Sequence, residues 1–142
     1  MANGPALAGK WTYRSYINST DLVSDGDGAL ALIFGQGVFT FVTPSSTTVQ
    51  GTLDMGSGLV LDLQGTVEAG GGNAPATIAI VGTGRAGTPT DGWEYDYRCY
   101  PGFQWPNGVN QVPSLVGTVI RAKPHNGAPA GVVASFIAVK QA

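Results

Sequence analysis

Apolar and polar residues trade places at every second position over much of this chain. In "GLVLDLQGTV" (58–67), Leu59, Leu61 and Leu63 share one face while Val60, Asp62 and Gln64 share the other. That period of two marks a half-buried strand. "GKWTYRSY" opens a first strand over 9–17, and "GWEYDYRCY" (92–100) sets Trp93, Tyr95, Tyr97 and Cys99 against Glu94, Asp96, Arg98 and Tyr100. "ALALIF" (29–34) and "GVFTFV" (37–42) are short and β-rich, and they predict a hairpin around "GQG". "TTVQGTLDM" (47–55) pairs with 58–67 around "GSG", and further strands are predicted at 76–82, 114–122 and 131–140. Helical periodicity is hard to find. The chain has 22 glycines and 9 prolines, and they punctuate these runs as turns rather than forming a low-complexity tract.

Eight or nine consecutive strands with short connections predict an all-β fold: a single antiparallel up-and-down β-barrel of about eight strands, spanning 1–142 as one domain. Closure removes the exposed edges of an apolar sheet. A two-sheet sandwich is the alternative, but no Greek-key crossover is evident in the strand order. Charged residues make up 11% of the chain, well below the roughly 25% of ordinary soluble domains. So little charge leaves surface to be covered, and a homo-oligomer is expected. The net charge of −2 and the scattered 7 basic residues exclude a phosphate-binding patch, so no nucleic acid partner is expected. Cys99 is the only cysteine, which excludes an internal disulfide and a multi-thiolate metal site. "MANGPALAGK" lacks a basic segment followed by a long apolar core, and no apolar run approaches membrane-spanning length. A cytoplasmic protein with no membrane partner is therefore expected. The "NST" at Asn18 matters only in a secretory protein.

Gly9, Lys10 and Trp11 form an early Gly-x-Trp that resembles the start of the calycin barrels, the avidins and lipocalins among them. In those families the indole plugs one barrel end beneath a basic side chain from a late strand. The resemblance therefore implies Gly9, Trp11 and Arg121 as a structural barrel end, with Lys140 as the next candidate cover, by cation–π attraction. "DGAL" (27–30) resembles the opening of the second strand of avidins. Tyr13 and Ile17 stand near the places where avidins carry polar biotin contacts, so the resemblance implies an architecture and no particular ligand.

Several motifs point to chemistry. Gly82, Gly84 and Gly87 fit G-x-G-x-x-G, but "TPTDGWEYDY" follows and leaves no room for the helix that would hold a pyrophosphate. No nucleotide is expected, nor any other cofactor. "SDGDG" (24–28) lacks the remaining ligands of a calcium loop and reads as a turn. His125, the only histidine, lies in "KPHNGAP"; it cannot build a multi-histidine metal site and reads as a solvated turn residue. As a general base it would need a partner such as Asp96 or Glu94. Cys99 lacks a basic context and reads as a buried apolar thiol. "CYPGFQWPNGVNQVPS" (99–114) carries Tyr100, Phe103 and Trp105 among three prolines. It is either a lid or pocket wall, or else a subunit contact or hydrophobic plug.

The strand at 92–100 decides the lumen. Alternation favours charges outside and rings inside, giving an aromatic cavity with phenol handles. The first expectation is then a small-molecule binding barrel for an apolar or aromatic ligand, with Tyr13, Trp93, Tyr95, Tyr97, Phe103 and Trp105 as ligand-binding candidates. The second is a cofactor-independent cyclase or isomerase, with Glu94, Asp96, Arg98, Tyr95 and Tyr97 as catalytic candidates. The third is a self-associating structural barrel filled by its own side chains.

Overall fold

Each alternating segment becomes a strand, and the strands close. The computed structural model describes residues 6–142 apart from 22 and 24; residues 1–5 of the expected domain and Ser24 of the acidic turn lie outside the described residues. The elements are β1 (Gly9–Ile17), α1 (Gly26–Leu30), β2 (Ile33–Ser45), β3 (Thr48–Asp54), β4 (Val60–Glu68), β5 (Thr77–Gly84), β6 (Glu94–Pro101), β7 (Ser114–Arg121) and β8 (Val133–Lys140). They pair in chain order as a closed eight-stranded barrel, every pairing antiparallel. The last strand meets the first from Trp11 opposite Lys140 to Ile17 opposite Ala134. The expected up-and-down barrel is the fold. No helix among the described residues is long and apolar enough to cross a membrane.

Two local expectations fail. The predicted hairpin around "GQG" does not form: β2 runs straight through Gly35, Gln36 and Gly37, pairing with β1. Gly37 serves close approach rather than a turn, since a Cβ there would strike the Asp54 carbonyl, whereas a Cβ on Gly35 would meet only ordinary contacts. Residues 27–30, likened to the opening of a second strand, are helical instead, within α1. Asp25 caps this short helix, its Oδ1 accepting from the Gly28 amide at 2.7 Å, so the acidic residues of the segment begin a helix after all.

Inward positions build the core. On β1 the buried residues are Trp11, Tyr13 and Ser15, and on β6 they are Tyr95, Tyr97 and Cys99. Rings face in on β6, as alternation favoured. Tyr13, Phe39, Tyr97 and Phe136 pack as a four-ring cluster, every pairing between 4.8 and 6.2 Å centroid to centroid. These are the distances of edge-on and tilted aromatic contacts. An eight-stranded barrel is barely wide enough for its own side chains, so such a cluster needs small neighbours. Gly82 is one: a Cβ there would lie 3.3 Å from the Tyr97 ring and 3.1 Å from Leu63. The four rings crowd the middle of the barrel, and two of them, Tyr13 and Tyr97, also line a cavity toward one end.

Candidate functional site

Strand parity decides which end. In an up-and-down barrel, odd strands run one way and even strands return. Trp11, near the start of β1, therefore shares an end with the 102–113 connection and the close of β8. Arg121, at the close of β7, lies at the other.

The Trp11 end is stoppered. Trp11 is 1% exposed, and its Nε1–H donates to the Leu7 carbonyl at 2.8 Å. The Lys140 ammonium sits 5.6 Å from the indole centroid and donates to the Ala6 carbonyl at 3.3 Å. Lys140 thus covers the indole. Arg121 does not: of the three residues assigned to that barrel end, Gly9 and Trp11 are there, and Arg121 is at the opposite mouth because β7 runs parallel to β1.

The mouth carries a cavity of about 450 Å³. Tyr13, Tyr97, Leu53 and Leu61 line it from the barrel wall, and Phe34, Met55, Trp93, Tyr95, Arg121 and His125 line it nearer the rim. Loop chemistry places the last group. Thr90 is fully buried, its Oγ1 donating to the Val60 carbonyl at 2.8 Å and accepting from the Arg85 amide at 3.1 Å. This pins the β5–β6 loop and delivers Trp93 to the rim. The glycine motif at 82–87 leads into this loop; α1 is the only helix among the described residues. His125 is set by a tight turn: it pairs with Ala128 across Asn126 and Gly127, whose φ values are 49° and 77°. Asn-Gly suits that left-handed pair.

Tyr95 is the hub. Arg121 lies directly opposite it in the β6–β7 ladder, and the Arg121 Nε–H donates to the Tyr95 hydroxyl at 3.0 Å. The Arg121 guanidinium also rests 5.1 Å from the Phe34 centroid, and its Nη1 donates to the Pro129 carbonyl at 3.1 Å. The Tyr95 hydroxyl is 2.6 Å from His125 Nε2. A guanidinium only donates. The single hydroxyl proton of Tyr95 is therefore free to go to His125 Nε2, which puts the neutral imidazole's own proton on Nδ1. Burial, and then the positive charge of Arg121, lower the His125 pKa from 6.5, which favours that neutral form. Trp93 stacks on the imidazole with centroids 3.9 Å apart and planes at 19°. His125 Nδ1 and Trp93 Nε1 are both buried without a hydrogen-bond partner. Deeper in, burial pushes the Tyr13 phenol up to about 12 and drives Tyr97 upward as well, so both stay protonated.

The other sequence candidates fall elsewhere. Glu94, Asp96 and Arg98 point outward on β6, so the catalytic set divides: Tyr95 and Tyr97 inside, the charged trio on the outer wall. Burial raises the Asp96 pKa first and the Glu94 charge raises it further, against a lowering pull from Arg98. Phe103 and Trp105 are 75% and 67% exposed and stand on the stoppered end. They pack on each other at 4.9 Å, and Gln111 clamps the Trp105 backbone through bonds of 2.6 and 3.1 Å. They form no lid over the mouth, because the connection after an even strand lies at the Trp11 end. Cys99 is buried, and burial pushes its thiol up to about 12. A groove of about 840 Å³ follows the outer wall past Thr66, Ala79, Arg98 and Thr118. Among the described residues no group of three or more His, Cys, Asp or Glu is placed to hold a metal ion.

His125 is the residue sequence reasoning missed. Its expected partners were Asp96 or Glu94, both of which face outward; its partner is Tyr95. The available signal was "NG" immediately after it, which marks a tight turn able to fold the ring back over a neighbouring strand. Comparison of the chain with protein-family models, with curated proteins and with solved structures gives no match.

Proposed function

We propose that this barrel binds a small, mostly apolar or aromatic molecule at its mouth, in a calycin-like arrangement with Trp11 as the stopper of the far end. One observation carries the proposal. The cavity of about 450 Å³ is walled mainly by rings and aliphatic side chains, and Tyr95, His125 and Arg121 form a hydrogen-bonded cluster in its lining, with Gln36 a further polar residue there. That is the composition of small-molecule sites: an apolar wall with few, placed polar groups, within roughly 300–1,000 Å³. Catalysis is the weaker reading, since the charged candidates Glu94, Asp96 and Arg98 lie on the outer wall.

The test uses the intact chain and anilinonaphthalene sulfonate as a fluorescent probe. Met55→Trp, which fills the mouth from the β3–β4 turn, should abolish probe enhancement while leaving the unfolding midpoint near that of the parent. Undiminished enhancement in the filled variant would remove the cavity as the site. Native mass spectrometry of gently purified protein adds two readouts: any retained compound, and the subunit number that the expected self-association predicts.

A further inference from the structure

The charge at the mouth is one-sided. Of the residues lining it, Arg121 is the only one that carries a fixed charge, and neither Asp nor Glu is among them. The ion pairs of the described residues, Arg85 with Asp62 and Lys123 with Glu94, both leave Arg121 without a carboxylate. Two further N–H groups, on Trp93 and His125, are buried and unpartnered. An unsatisfied buried donor is destabilising, and in native structures such groups are usually met by protein, water or ligand. The phenols of Tyr13 and Tyr97 cannot supply an anion, being held protonated by burial. An oxygen anion is the complement of this set, because it only accepts and can take several N–H bonds at once.

Resting on the binding proposal above, we infer that the ligand is an apolar ring compound bearing a carboxylate, its ring against Phe34, Trp93 and the inner tyrosines and its oxygens toward Arg121, His125 and Trp93. The partly exposed rim accommodates the charged end, and the aromatic floor receives the ring. A neutral carbonyl would meet the unpartnered N–H groups but forgo the attraction of the guanidinium.

Three probes of one shape separate these contributions: naphthoate, acetylnaphthalene and naphthalene, each titrated into the intact chain by calorimetry. Naphthoate should bind at least about tenfold more tightly than naphthalene, the factor expected of one charge-assisted hydrogen bond, with acetylnaphthalene between them. The Trp93 indole N–H resonance should move downfield with naphthoate and not with naphthalene. Arg121→Met should erase the advantage of naphthoate over acetylnaphthalene, and Trp93→Phe, which keeps a ring at the rim, should reduce the advantage of both oxygen-bearing probes. Equal affinity for all three overturns the carboxylate inference while leaving the binding proposal standing. Failure of all three to bind overturns both. Trp93→Phe with the full naphthoate preference retained and no indole shift in the parent removes Trp93 from the anion site.

Discussion

The stopper at the closed end makes a prediction that separates two cations. Trp11→Leu deletes the indole N–H bond to Leu7, 2.8 Å long, together with the ring that packs 6.5 Å from Phe41. Losing a fully buried Trp to Ala costs about 3–5 kcal/mol, and Leu refills part of that space. A stranded buried carbonyl adds roughly 1 kcal/mol or more. A net loss of about 3 kcal/mol follows for the single variant. Lys140→Met keeps the apolar stem but removes the ammonium that lies 5.6 Å from the indole. The coupling between these two changes should be about 0.5–1 kcal/mol, the size of a partly exposed cation–π contact. It includes whatever the Lys140 bond to Ala6 loses when the neighbouring Leu7 segment loosens. The same cycle built with Arg121→Met should give no coupling, because distant sites add within about 0.3–0.5 kcal/mol. Urea unfolding of the parent, three single variants and two double variants supplies the numbers, provided the m-value holds constant. A Trp11–Arg121 coupling as large as the Trp11–Lys140 coupling would refute the parity assignment of the two barrel ends.

Two further outcomes follow from the same geometry. Gly82→Ala places a Cβ 3.1 Å from Leu63 and 3.3 Å from both the Tyr97 ring and the Tyr95 carbonyl oxygen, and overpacking of this kind costs about 1–3 kcal/mol, visible as a lower urea midpoint at unchanged m. His125 has its pKa lowered from 6.5 by burial and by Arg121, so the unfolded chain takes up its proton first as pH falls. Its contribution to stability is complete above pH 6.5 and is lost as pH drops through the lower folded value. Unfolding free energy measured against pH should decline in that window for the parent and lose that component in His125→Phe; identical slopes would contradict the buried neutral imidazole.

Much of the fold was legible because alternation is a local property. The patterns at 58–67 and 92–100 told which side chains share a face, and the inward set Tyr95, Tyr97 and Cys99 followed from apolarity alone. The placement of Arg121 and of the Phe103–Trp105 connection was also within reach, since counting strands assigns each connection to an end; weighting the resemblance of Trp11 to a barrel stopper over that count misplaced Arg121. The "GQG" segment was a different matter. A glycine pair between β-rich runs is the usual mark of a turn, and only the neighbouring strand, with the Asp54 carbonyl pressed where a Cβ on Gly37 would stand, shows that Gly37 allows close contact within a continuous strand.

By itself, the sequence determined an antiparallel all-β chain, its inward faces and its supply of aromatic side chains, because strand period and residue polarity are written in consecutive positions. Tertiary structure alone decided that four rings from four strands pack together, that a cavity opens at the mouth, and that Tyr95, Arg121 and His125 meet there. Those facts depend on hydrogen-bond register and on the volumes of side chains up to 123 positions apart, as Tyr13 is from Phe136. No local pattern encodes either.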